Sequence, residues 1–449
     1  MQIDKQTIKD LEIFRASEDG VSIFDILDRT VTTGGKYRLY DRFMQPLQDI
    51  GQIQAIQDTV SFLSKHLEKW KYPFSNNMMK SLENYVSSNI EPIKGTSKLQ
   101  VLLQGIRYFI IDRYTYHYLK ESIIELVEYT NRFLRIFENF NAINLPALLS
   151  DILNEFKSFT GEPVFRILSE KTSRQRKLTF TEVYYFDGLL RSTHRDQLKK
   201  IVQLAYEMDA LLSMAKATVE FGLCFPGIDI ESNVKFETTG LYHLVLKNPK
   251  SYNVSITNEN NFFFLTGPNM AGKTTFLKSI GIAVYLAHIG MSVPAQSMKT
   301  VLYDRLFTSL TVSDNIFSGY SYFFSEVKRV KQVAEAISRN EKVFTLFDEL
   351  FKGTNVKDSY DASALIISGL IKWKHCLFML SSHLAELENE LKQYPGICYY
   401  YFESDIQNGL PVFNYRLKQG VSDTRLGMVI IKNEKIMELL NSKETNDNN

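Results

Sequence analysis

The spacing of apolar residues changes once along this chain, near residue 233. Upstream, Leu102, Ile106, Phe109, Ile110, Leu119, Ile123, Leu126 and Val127 recur mostly at three- and four-residue steps. That is the period of a helix burying one face, and it predicts one extended helix or a pair. No proline lies between Pro92 and Pro146, or between Pro163 and Pro226. The second gap ends in another helical run, from Arg195 through Leu211 and Met214 to Phe221. An ordinary helical bundle accounts for both.

Beyond residue 233 short apolar runs take over: Phe262 to Leu265, Val343 to Phe347 and Leu377 to Leu380. They alternate with helical segments such as Glu326 to Ile337 and Asp361 to Trp373. Strands alternating with helices predict a mostly parallel sheet covered on its faces. Ile397 to Phe402 and Pro411 to Leu417 flank Asn408-Gly409, the signature of a hairpin turn. The expected organisation is multidomain, α followed by α/β: an all-helical domain over 1–232, an α/β domain over 233–440, and a disordered polar tail over 441–449.

Composition changes this picture little. The 449 residues carry 52 Lys+Arg against 51 Asp+Glu, a formal net charge of +1. Such balance neither favours a nucleic-acid partner nor excludes one, because a local basic patch suffices. Cys224, Cys376 and Cys398 are scattered without metal-ligand spacing and read as buried thiols in a reducing compartment. The first residues, MQIDKQTIKDLEIF, have no apolar run of signal-peptide type. The most apolar stretch, Gly281 to Val293, is broken by His288 and too short to span a bilayer. A cytoplasmic protein with no membrane association is expected.

Chemistry enters at Gly267-Pro268-Asn269-Met270-Ala271-Gly272-Lys273-Thr274, which fits G-x-x-x-x-G-K-[ST] without a gap. Glycines let successive N–H groups converge on phosphate oxygens, and the following helix N-terminus favours the same negative charge. The run FFFL precedes the motif and a proline-free run, Thr275 to His288, follows it, giving the strand–loop–helix setting that it requires. ATP and Mg²⁺ are therefore the expected ligands. Lys273 would bridge the β- and γ-phosphates and the Thr274 hydroxyl would ligate the metal. Val343 to Phe347 ends in Asp348-Glu349. A solitary Asp-Glu pair usually marks a solvated strand end; downstream of a phosphate loop, Asp348 would hold Mg²⁺ and Glu349 would polarise the attacking water. Leu377 to Leu380 ends in Ser381-Ser382-His383, where His383 could sense the γ-phosphate or simply be structural. Open α/β sheets bind ligands at such carboxyl strand ends.

These residues together resemble the MutS mismatch-repair ATPases, members of the wider ABC-type class. Thr266 to Thr275, TGPNMAGKTT, is similar to the MutS form of the phosphate loop. Asp348-Glu-Leu-Phe-Lys-Gly353-Thr354-Asn355, with Asp358, resembles the family's Walker B and D-loop. Ser318-Gly319-Tyr-Ser321-Tyr-Phe323, with Glu326, resembles the segment that reaches the partner's nucleotide across a dimer, and Ser381 to His383 resembles the switch-histidine motif. Leu27 to Gly34, LDRTVTTG, resembles the start of the MutS helical core, and Ala210 to Ala215 its last long helix.

The resemblance implies an ATPase acting as a homodimer through its ATPase domains. Lys273, Thr274, Asp348, Glu349 and His383 would come from one subunit, and Ser318, Gly319 and Ser321 from the other. It also implies duplex DNA, mismatched or branched, as a partner, with a repair protein as a further one. Tyr252 and Asn253 fall where the family packs an aromatic and an asparagine near the adenine, although Tyr252 reads equally well as core. The sequence departs from the pattern in several places. Residue 22 already lies in the core pattern, so mismatch-reading and connector domains are expected to be absent, and the clamp reduced or absent. Gly240 and His243 match Gly-x-x-His-Pro, but Leu244 replaces the proline. Lys171, Arg174, Arg176 and Lys177 lie near where a clamp would emerge; they could contact phosphate or form a solvated loop. The competing expectation is a DNA-independent ABC-type switch acting on a protein partner. A transport subunit fits less well, because SGYSYF stands where those proteins carry LSGGQ.

Overall fold

The computed structural model describes residues 1–15, 20–70, 75–93, 105–106, 110, 112–138, 140, 144–173, 178–229, 233–310, 322–384, 386–407, 410–421 and 440. They form two compact units, and the division is not a single cut near residue 233. One unit joins Met1–Ile26 and Gln45–Ile53 to Gly222–Asn449; the other comprises Leu27–Met44 and Gln54–Phe221.

The first unit is built on a seven-stranded sheet. Its order is Gln2–Ile3, Arg305–Ser309, Val343–Asp348, Leu377–Ser381, Phe262–Thr266, Ile397–Gln407 and Leu410–Gln419. Neighbours run parallel up to the last pair, which is antiparallel. Phe262–Thr266 and Leu377–Ser381 are buried at every position, as strands covered on both faces must be. Phe347, Phe378 and Leu380 pack on one side into a core with Val333, Ala336 and Ile367, from the helices Tyr322–Ser338 and Val356–Leu370. A smaller four-stranded sheet holds Gly227–Ile228, Ser297–Thr300, Val234–Leu241 and Tyr252–Thr257 in that order.

Residues 1–13, expected in the helical domain, belong to this unit for physical reasons. Gln2–Ile3 extends the sheet beside Arg305–Ser309. The next helix, Lys5–Asp10, is capped by the Asp4 side chain, which accepts from the Thr7 N–H. Asp10, 1% exposed, accepts from the Thr308 hydroxyl at 2.7 Å and the Leu310 N–H at 3.0 Å. Arg329 pairs with Asp4 and donates to the Thr7 hydroxyl at 2.9 Å.

The second unit is helical. Its longest members are Arg113–Glu138 and Arg195–Glu220, 26 residues each. LDRTVTTG closes on the latter helix. Buried Asp209 accepts from Thr32 N at 2.8 Å and Thr32 Oγ1 at 2.6 Å, and Arg29 pairs with Glu220 at 2.6 Å. Gly34 and Gly35 permit the close approach: a Cβ would stand 2.3 Å from the Tyr206 ring and 2.2 Å from Asp209 Oδ2 respectively. Among the described residues, no helix is long and apolar enough to cross a membrane.

Candidate nucleotide site

The loop Gly267 to Gly272 leaves a fully buried strand and enters the 16-residue helix Lys273–His288. Gly267 and Gly272 have φ of +139° and +96°, which L side chains rarely adopt. At Gly272 an added Cβ would also stand 3.2 Å from the Tyr415 ring. Met270 takes φ +69° and is 75% exposed. The helix has no side-chain cap at Gly272. Its first-turn N–H groups and the positive end of its dipole thus suit an anion.

Lys273 is 6% exposed, and its Nζ donates to the carbonyls of Gly267 at 2.7 Å and Pro268 at 3.1 Å. Burial lowers its pKa, opposed by the nearby Glu349 and Asp348 carboxylates. The Thr274 hydroxyl donates to Asp348 Oδ2 at 2.5 Å, bringing two hard oxygen donors together.

Asp348 ends its strand, and the chain turns sharply, with φ +63° at Glu349 and +60° at Phe351. Such backbone costs about 1–3 kcal/mol per residue and persists where its surroundings over-determine it. Here the Glu349 N–H donates to the Ser381 carbonyl at 2.8 Å, and buried Glu326 accepts from the Lys352 and Gly353 N–H groups at 3.4 Å. Glu349 Oε2 lies 3.3 Å from His383 Nδ1 and 3.2 Å from Lys352 Nζ. Burial raises the Glu349 pKa, but the hydrogen bond from His383 and the Lys352 charge overcome it and hold the carboxyl at about 2. The same hydrogen bond raises His383, against its partial burial.

These groups face a cavity of about 750 Å³. Of the sequence-predicted residues, Pro268, Asn269, Met270, Gly272, Lys273, Thr274, Thr275, Asp348, Glu349 and Tyr252 line it. Gly267 contributes its carbonyl to Lys273, and Ala271 is buried. His383 acts through Glu349. Asn253 is not at the cavity: it follows Tyr252 on a strand, so its side chain faces the other way, and its carboxamide oxygen accepts from the Gly240 N–H at 2.8 Å. Lys171 is engaged by Glu182 at 2.5 Å. Ser318, Gly319, Ser321, Arg174, Arg176, Lys177, Asn408, Gly409 and the tail 441–449 lie outside the described residues.

Sequence reading missed several lining residues: Leu246, Asn248, Lys250, Lys352 and Tyr415. Tyr415 arrives through a register shift. Glu403 pairs with Arg416, but the next residue, Ser404, pairs with Phe413, leaving Asn414 and Tyr415 as extra residues of the edge strand. His243, flagged only for its motif, also lines the cavity, and burial lowers its pKa to about 4.

Among known families, residues 263–444 match the model of MutS domain V and residues 6–215 that of MutS domain III. Similar relatives include the DNA mismatch repair protein MutS of Thermotoga sp. (strain RQ2), 28% identical over 53% of this chain and 30% of its own. That of Clostridium kluyveri (strain NBRC 12016) is 27% identical over 60% of this chain and 33% of its own. That of Ehrlichia ruminantium (strain Gardel) is 30% identical over 53% and 30% respectively. The chain spans about a third of the length of these curated relatives.

Proposed function

The chain belongs to the MutS family, and on that premise we propose that it binds and hydrolyses Mg²⁺–ATP and couples that cycle to a rearrangement on DNA. The observation that carries the reading is the meeting of Lys273, Thr274, Asp348 and Glu349 at one cavity, beside a helix N-terminus without a side-chain cap. Thr274 and Asp348 fit magnesium, which takes one or two protein oxygens and completes its shell with phosphates and water. When bound, the ion supplies charge neutralisation across the β- and γ-phosphates.

The chain's own groups do the rest. Lys273 exchanges the Gly267 and Pro268 carbonyls for phosphate oxygens. Glu349, ionised across the physiological range, orients and polarises the attacking water; His383 holds the Glu349 carboxylate. Tyr252 and Tyr415 offer aromatic faces for the base at the same cavity.

The wider reading follows the family. Two ATPase units would form a homodimer, with Ser318, Gly319 and Ser321 completing the partner's site. Nucleotide binding would then bias the helical units around mismatched or branched duplex DNA. The near-neutral charge is equally compatible with the competing reading, a DNA-independent switch on a protein partner. An ATPase assay across duplex, mismatched and branched DNA, with oligomeric state measured with and without ATP, separates them. Stimulation by any DNA form supports the first reading. No stimulation and no DNA affinity at low salt leave the second.

A further inference from the structure

Ser381 ends the strand beside Asp348 and two more polar residues, Ser382 and His383, follow it; those two are accounted for. His383 reaches Glu349, and the Ser382 hydroxyl accepts from the Leu384 N–H at 3.1 Å. Ser381 is 0% exposed, and among the described residues its hydroxyl has no hydrogen-bond partner. A buried hydroxyl without a partner costs the folded state its hydration, so it calls for a reason.

Position supplies one. Ser381 stands in register between Asp348 on one side and Leu265, just before the phosphate loop, on the other. Register partners in a parallel sheet share a face, on strands about 4.8 Å apart. Phe378 and Leu380 belong to the core on the opposite face. Asp348 meets Thr274 from the helix Lys273–His288. By alternation, Ser381 lies on the face of the sheet where Asp348 meets that helix.

We propose that Ser381 is a positioning residue for the magnesium site, its hydroxyl donating to the Asp348 carboxylate once the Thr274 oxygen is engaged by the metal. This rests on the Mg²⁺–ATP reading above. In the structure Thr274 supplies a hydrogen bond to Asp348; the Ser381 donor would keep the carboxylate fixed when that bond is weakened or redirected. No proton changes owner in this exchange.

Thr345 provides an internal control. Its hydroxyl is likewise buried and without a partner among the described residues, but it lies between Val343 and Phe347 on the opposite face. The test is calorimetric titration of the full chain with ADP, in EDTA and in excess Mg²⁺, for the wild type, S381A, S381C and T345V. Wild type should bind ADP more tightly with Mg²⁺. S381A should bind ADP normally in EDTA but lose roughly tenfold of the magnesium-dependent gain, the scale of one hydrogen bond to a charged group. S381C, of similar volume with a weak donor, should fall between, covering the case in which S381A does not fold. T345V should keep the full gain. A full gain in the folded serine variants, or an equal loss in T345V, overturns the proposal. Absence of ADP binding by the wild type in both conditions overturns the nucleotide reading itself and this proposal with it.

Discussion

His383 Nδ1 lies 3.3 Å from Glu349 Oε2, so a side-chain contact joins the ends of two adjacent strands above the phosphate loop. Each partner shifts the other's protonation in the direction that preserves the contact. Glu349, held at about 2 against an ordinary 4.5, contributes stability above pH 4.5 that is lost as pH falls towards 2. His383, raised above its ordinary 6.5, contributes stability below pH 6.5 that is lost as pH rises through its folded value. The stability difference between wild type and H383Q should therefore be largest between pH 4.5 and 6.5 and shrink on both sides. Because the histidine is more than half exposed, the peak difference should be about 1–2 °C in Tm. Melting curves across pH check this; a difference independent of pH contradicts it.

The same carboxylate separates binding from turnover. Glu349→Gln should keep nucleotide affinity within about twofold while slowing hydrolysis by roughly a hundredfold or more, the scale of general base catalysis. Equilibrium binding and single-turnover assays on one preparation measure the two effects separately.

Tyr415 and Asn253 make a contrasting pair. Tyr415→Ala should weaken ATP binding roughly tenfold if its ring stacks on the base. Asn253→Ala should leave the cavity intact and act on stability, by removing the acceptor for the Gly240 N–H. Nucleotide titrations beside thermal melts tell the two apart. Equal losses of affinity would return Asn253 to the site.

In the helical unit, Gly35→Ala should destabilise by about 1–3 kcal/mol through overpacking, because its Cβ would stand 2.2 Å from the Asp209 carboxylate. Denaturant unfolding gives the value. A neutral substitution would mean that the closure of LDRTVTTG on the long helix is looser than described.

Asp10 tests the placement of the first residues. Asp10→Ala strands the Thr308 hydroxyl and the Leu310 N–H in a buried setting and should cost about 1–3 kcal/mol. Proteolysis or unfolding followed by nucleotide fluorescence should show the loss in the unit that carries the seven-stranded sheet, since both donors belong to it.

What could be read from sequence alone was what is local. Gly267 to Thr274 is contiguous, its glycines are required by backbone angles within the loop, and the apolar runs beside it fix the strand and helix. Asp348 and Glu349 are legible because a buried strand must end where its apolar run ends. Asp10 was not legible as part of the sheet-bearing unit, since its partners lie 298 and 300 residues away. Tyr415, which lines the cavity, was hidden by the register shift in its strand, which no periodicity announces. Asn253 lies off the cavity wall, bonded to the Gly240 N–H, because resemblance gives a position whereas strand alternation decides the face.

Steady-state ATP hydrolysis by the wild type and E349Q, each with and without duplex, mismatched and branched DNA, decides whether this cavity is a hydrolytic site coupled to DNA. Wild-type turnover should depend on Mg²⁺ and change with at least one DNA form, and E349Q should stall while still binding ATP. Turnover by E349Q at the wild-type rate would contradict the assignment of the site. A wild-type rate indifferent to every DNA form, with no DNA affinity at low salt, would contradict the coupling to DNA.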